Sequence, residues 1–255
     1  MHNTIGIALS GGGARAAAHI GVLQALNEHQ IYPTHVSGTS GGAIIASLYC
    51  SGYSPLEILE LTKTHSFLHI FKLGLEFRSI TDMSRLKKFL YNHIKDDFKD
   101  LKLPLYLSVT NLNTGLNEII TKGELITAVA ASCAIPLLFN AVDFNESSYV
   151  DGGVLNNLPV EPLVEQCTFT LGSIVSGFEF EKDVSSRLQI AYRCLQLAIA
   201  TNVTPRLKQC NHAIEIEKAY HFSTFDLEKS QELFDIGYST TIAQIEAIKN
   251  KMITV

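Results

Sequence analysis

The feature that most restricts the fold is a pair of short apolar runs, each closed by small residues and each followed at once by a helical pattern. Thr4 to Leu9 runs into Ser10 and three glycines, and reads as a buried strand. From Ala14 the spacing changes, and Ala18, Val22, Ala25 and Leu26 predict a helix to about His29. Ile31 to Ser37 reads as a second strand. Ser40 to Cys50 reads as a second helix, stopped near Gly52. The order strand, helix, strand, helix implies α/β architecture with a largely parallel sheet covered on both faces.

The same reading continues along the chain. Met83, Leu86, Leu90 and Ile94 form a helical stripe. Pro104 to Asn111 and Leu116 to Thr121 are predicted strands joined by Asn113, Thr114 and Gly115, and Glu124 to Cys133 is a helix ended by Pro136. Tyr149 and Val150 lead into Asp151-Gly152-Gly153. Thr168 to Val175 and His212 to Glu217 are further strands, Val184 to Ala198 a long helix, and Phe234 to Ile248 one last helix. Pro55 to Phe77 is rich in apolar residues without sheet rhythm. It suits a helical subdomain packed on the sheet, or a wall or lid over an acyl-chain pocket that touches membrane. Phe67 to Phe77 serves equally as a homodimer interface. The chain has 255 residues and no linker signal, so one domain over 1–255 is expected.

Charge narrows the partners. The formal net charge is −5, and Lys87-Lys88 is the only adjacent basic pair, which speaks against nucleic acid and against strong electrostatic attachment to anionic lipid. Two uncharged stretches, Gln30 to Leu56 and Leu125 to Val142, carry prolines and small polar residues and read as core segments, not membrane spans. The first residues lack a basic n-region, so no signal peptide is expected. The five cysteines show no CxxC spacing and read as free packing thiols in a reducing compartment. A cytoplasmic protein, or one peripheral at a membrane, is expected.

Three motifs carry chemistry. Gly38-Thr39-Ser40-Gly41-Gly42 has the G-x-S-x-G form at a strand-to-helix turn. Such a turn exposes the seryl hydroxyl and crowds the backbone, so Gly38 and Gly42 meet a need for small residues two positions either side of Ser40. Ser10-Gly11-Gly12-Gly13-Ala14-Arg15 falls where helix-initial N–H groups point outward, which suits a phosphate or a developing oxyanion. Gly11, Gly13 and Ala16 also fit the dinucleotide fingerprint. That reading needs an acidic residue at the end of the second strand, where Val36-Ser37-Gly38 stand, and Glu28 precedes that strand. Asp151-Gly152-Gly153 is by itself ordinary turn chemistry.

Together and in this order, the three motifs resemble the patatin-like phospholipase family, in particular its bacterial single-domain members. Ala17 to Leu23, Ala131 to Pro136, Tyr149 through Asn157 to Pro162, and Phe234 to Tyr238 are similar to the same family, so the resemblance covers nearly the whole chain. It implies a three-layer α/β/α sandwich and a Ser-Asp dyad in place of a triad. Ser40 would be the nucleophile, Asp151 its base, and Gly11, Gly12, Gly13 and Ala14 the oxyanion donors. The family often has a further glycine where Ala16 stands, a departure of small expected effect within a helix. None of the nine histidines can be assigned as a base from sequence, and His19 reads as a helix-packing residue. Arg15 either contacts a phospholipid head group or pairs with a local carboxylate and holds the loop; the second is favoured.

The implied activity is hydrolysis of acyl esters in phospholipid, lysophospholipid or a related substrate, with no metal and no cofactor. Two alternatives stay open: an acyltransferase passing the acyl group to a non-water acceptor, and a non-catalytic lipid-binding protein on the same scaffold.

Overall fold

The structure is a computed structural model that describes residues 4–70, 82–177 and 184–254. The strands are β1 (Ile5–Leu9), β2 (His35–Gly38), β3 (Leu105–Asn111), β4 (Asn117–Ile120), β5 (Val142–Phe144), β6 (Ser147–Asp151), β7 (Phe169–Ile174) and β8 (His212–Glu215). The helices are α1 (Ala17–Glu28), α2 (Gly41–Ser51), α3 (Pro55–Thr62), α4 (His65–Leu68), α5 (Ser84–Tyr91), α6 (Leu125–Ser132), α7 (Glu161–Gln166), α8 (Arg187–Thr201), α9 (Thr204–Leu207), α10 (Ser230–Ile242) and α11 (Ile245–Ile253).

Among the described residues the strands form one sheet in the order β5-β6-β3-β2-β1-β7-β8, with β4 also on β3. β1, β2, β3, β7 and β8 pair in parallel, while β4, β5 and β6 pair antiparallel. Alternation along β1 sorts the core. Ile5, Ile7 and Leu9 join the large cluster with α1 and α2 residues such as Ile20, Leu23 and Ile44. Ala8 joins the smaller cluster with Leu163 of α7 and with Val203. Helices therefore cover both faces, which explains why β1 reads as a continuous apolar run and not as an alternating one.

One detail of register places the site. Leu107 pairs with Ile120 of β4 and with Gly38 of β2; Val109 pairs with Glu118 of β4 and with Asp151 of β6. A strand has two edges, and β4 occupies one. β2 and β6 therefore share the other, β2 parallel to β3 and β6 antiparallel to it. They run head-on, and their C-terminal ends stop opposite residues only two apart on β3, roughly 7 Å along the strand.

Several sequence expectations are corrected. The helix expected over Phe234–Ile248 is two helices, α10 and α11, separated at Ala243-Gln244. The three-residue strand β5 had no readable signal. Phe67 and Ile70 point into the core, while Phe71, Leu73, Leu75 and Phe77 lie outside the described residues, so the lid and dimer readings of that stretch fall largely outside them. Cys50 and Cys133 are buried as expected, but Cys194 is exposed on α8. α10 lies directly on α1: a Cβ on Gly21 would run into the Phe234 carbonyl, and one on Gly237 into the Ala18 carbonyl. Among the described residues no helix is long and apolar enough to cross a membrane.

Candidate active site

Ser40 stands at the N-cap of α2, separated from the end of β2 by Thr39, with φ 52° and ψ −126°. A non-glycine residue held there stores strain of about 1–3 kcal/mol. Packing on both sides enforces it. A Cβ on Gly42 would run into the Leu9 carbonyl, and one on Gly38 would press on the Gly42 carbonyl and the Ala43 backbone. The Ser40 N–H donates to Ser132 Oγ (3.0 Å), whose hydroxyl donates to the Ser108 carbonyl (2.8 Å). The elbow is thus tied to α6 and β3.

Asp151 ends β6 and caps a 3-10 turn over Gly152–Val154. Its own N–H donates to the Ala134 carbonyl (2.9 Å), and its carbonyl accepts from Thr110 Oγ1 (3.0 Å). The carboxylate accepts from the Gly153 N–H (2.7 Å). Asp151 is 3% exposed. Burial raises its pKa from 3.8 to about 6; hydrogen bonding from the Ser40 side chain and from the Gly153 N–H opposes the rise without cancelling it. Near neutral pH the group is a carboxylate, but a more basic one than an exposed aspartate.

The glycine loop lies between β1 and α1. Gly13 takes a left-handed φ of 59°, and a Cβ there would run into the Thr224 carbonyl. Two of the four N–H groups expected as oxyanion donors carry long-range hydrogen bonds. The Gly11 N–H donates to the Asn157 carbonyl (3.2 Å) and the Ala14 N–H to the Thr224 carbonyl (2.8 Å). Among the described residues no protein acceptor is recorded for the N–H of Gly12 or of Gly13, and both residues line the cavity that contains Ser40.

That cavity measures about 170 Å³ and brings Ser40, Asp151, Gly11, Gly12, Gly13 and Arg15 together. One wall is α8, which contributes Tyr192, Arg193, Leu195, Gln196, Ile199 and Ala200, one face of the helix at intervals of three and four. Ser186 and Gln189 form a capping box that starts α8. Asn202, just past its end, accepts from the Asn157 N–H (2.9 Å) and donates to the Gly153 carbonyl (2.8 Å). The wall is therefore fastened to the Asp151-Gly-Gly turn.

Arg15 also lines the cavity, and its Nε donates to the Phe222 carbonyl (2.6 Å). Through this bond it holds the chain that leads to Thr224 against the glycine loop. His19 is fully buried behind the loop. Nε2 donates to the Ser10 carbonyl (2.9 Å), so Nδ1 of the neutral ring accepts from Ser173 Oγ (2.8 Å). Burial pulls its pKa down to about 4, against the hydrogen bond to Ser10. It is a neutral packing residue, as the sequence suggested.

Sequence reasoning did not single out Ser132, Asn157, Tyr192 or Asn202. Ser132 and Asn157 lay inside stretches similar to a known family, but nothing local marked their roles. Burial of β2 and β3 against the Asn156-to-Pro159 segment is likewise tertiary: Ser37 Oγ donates to the Pro159 carbonyl (2.6 Å), and Thr39 Oγ1 and Ser108 Oγ both donate to the Asn156 carbonyl (3.0 and 2.9 Å).

Comparison with known proteins gives the family and the fold. A family model described as patatin-like phospholipase matches residues 7–164, which include both Ser40 and Asp151. Neuropathy target esterase sws of Drosophila melanogaster is 31% identical over 170 residues, 62% of this chain and 12% of that protein. Lysophospholipase NTE1 of Kluyveromyces lactis is 23% identical over 92% of this chain and 19% of its own length. The chain thus spans less than a fifth of either relative. Two solved structures share the fold. VipD from Legionella pneumophila has a TM-score of 0.59 at 17% identity, covering 97% of this chain and 67% of that one. Human GIVD cytosolic phospholipase A2 has a TM-score of 0.58 at 11% identity, covering 99% and 60%.

Proposed function

The chain belongs to the patatin-like phospholipase family, and from that premise we propose that it is a serine lipid acyl hydrolase with Ser40 as nucleophile and Asp151 as general base. The observation that carries the reading is the convergence of a strained seryl elbow and a buried carboxylate of raised pKa in one cavity.

In the first half-reaction Asp151 takes the proton of Ser40 Oγ as Oγ bonds to the ester carbonyl carbon. The carbonyl oxygen becomes an oxyanion, and the Gly12 and Gly13 N–H groups are the donors left to receive it. Collapse breaks the bond to the leaving alcohol, which takes the proton back from Asp151. Water then attacks the acyl-serine with Asp151 again as base, releasing the fatty acid and restoring Ser40. Burial makes Asp151 a better base than an exposed aspartate, and no histidine lines the cavity among the described residues. The apolar side chains Ile135, Leu195 and Ile199 suit an acyl chain, while Arg15, Tyr192 and Gln196 give the same cavity a polar side for the rest of a phospholipid or lysophospholipid.

The test is hydrolysis of p-nitrophenyl esters of increasing acyl length by the parent, Ser40→Ala and Asp151→Asn, with folding checked by circular dichroism. The parent turns over esters and both variants fall to background. Turnover surviving in Ser40→Ala, or an inert parent, removes the assignment.

A further inference from the structure

We propose that Asn157 is a positioning residue for the oxyanion hole: its side-chain amide holds the Gly11 carbonyl and so fixes the heading of the Gly12 N–H. The proposal rests on the reading of Ser40 as nucleophile.

Asn157 is 1% exposed and lines the cavity beside Ser40. Its Nδ2 donates to the Gly11 carbonyl (3.3 Å) and to Ser176 Oγ (2.9 Å). Its backbone carbonyl accepts from the Gly11 N–H (3.2 Å), and its backbone N–H is held by Asn202 Oδ1 (2.9 Å). Gly11 is thus gripped on its N–H by the backbone of Asn157 and on its C=O by the side chain of the same residue. The approach is so close that a Cβ on Gly11 would run into Asn157 Oδ1.

The consequence follows from peptide geometry. The Gly11 carbonyl and the Gly12 N–H belong to one planar trans unit, in which the two groups point in opposite directions. Holding the carbonyl on Nδ2 therefore aims the N–H. Without that bond little resists rotation, because glycine on both sides admits positive and negative φ alike. The second donor is set independently: the Gly12 carbonyl accepts from the Arg15 N–H (3.2 Å), which fixes the plane carrying the Gly13 N–H. Loss of the Asn157 amide should misaim one donor of the two. Deleting a donor outright costs about 100- to 1000-fold in kcat, so misaiming one should cost roughly 10- to 100-fold.

The experiment compares the parent with Asn157→Ala and Asn157→Asp. The aspartate keeps shape and volume but replaces the donating NH2 with an acceptor. Active sites are titrated with a fluorophosphonate, so that kcat refers to competent enzyme only. The expected result is a fall in kcat of about 10- to 100-fold with KM changed by less than about threefold. The inhibition constant of an alkyl trifluoromethyl ketone, which forms a hemiketal oxyanion on Ser40, should rise by the same factor. A merely structural role would lower thermal stability and the titrated fraction but leave kcat per site and ketone affinity where they were. That outcome in either folded variant overturns the proposal, as does an equal loss in substrate and ketone binding. A parent that fails to label at Ser40 overturns the functional reading itself, a result distinct from an active, labelled Asn157 variant of normal kcat.

Discussion

Asp151→Asn should make the protein more stable as it makes it inactive, and the gain should depend on pH. The wild-type carboxyl has its pKa raised from 3.8 to about 6 by burial. Its folded form therefore binds a proton more tightly than its unfolded form, and stability is lost as pH rises from the unfolded value through the folded one. A rise of about two units corresponds to roughly 3 kcal/mol, fully felt above about pH 7 and absent below about pH 3.8. Asparagine keeps an oxygen to accept from the Gly153 N–H (2.7 Å in the parent) and carries no charge to desolvate. At about pH 8 the variant should unfold up to about 3 kcal/mol later, or roughly 6–12 °C higher for a chain of this size. The gap should close toward about pH 4. Urea unfolding of both proteins at several pH values measures it, with ester hydrolysis run alongside. A variant no more stable than the parent at about pH 8, or a gap that does not change with pH, would refute the claim that Asp151 is held as a costly buried base.

Other expectations follow from the same geometry. Because the base must be ionised, kcat/KM should fall about tenfold per pH unit below an apparent pKa near 6, and a profile flat down to about pH 5 would contradict the role of Asp151. His19, with its pKa pulled down to about 4, should add no titration of its own near neutrality, so His19→Gln should leave the position of that limb unmoved while altering stability. Gly42→Ala puts a Cβ into the Leu9 carbonyl and should cost about 1–3 kcal/mol together with activity, read by denaturation and ester turnover. Ser132→Ala removes the acceptor for the Ser40 N–H and leaves the buried Ser108 carbonyl without that donor. A loss of about 1–3 kcal/mol in urea unfolding is expected, and an unchanged midpoint would count against it.

What the sequence by itself determined is local. Hydrophobic spacing marked β1, α1, β2 and α2, because burial on a sheet or helix face imposes a period that the chain must display. Gly38 and Gly42 announced the elbow, because crowding at a strained turn excludes side chains at fixed offsets from Ser40. Resemblance to a known family pointed to Asp151 as the partner, but spacing could not, since Asp-Gly-Gly is common turn chemistry.

Tertiary structure decided the rest. Ser40 and Asp151 are brought together because β2 and β6 share one edge of β3 and end facing each other, a matter of strand pairing that neither strand records. Two of four expected oxyanion donors are already engaged, because the Asn157 and Thr224 carbonyls arrive from segments distant in sequence. The face of α8 that walls the cavity mixes Leu195, Ile199 and Ala200 with Tyr192, Arg193 and Gln196, and helical spacing alone did not set it apart. The pKa of Asp151 likewise belongs to no residue alone: it is set by exclusion of water, which only the assembled layers can achieve.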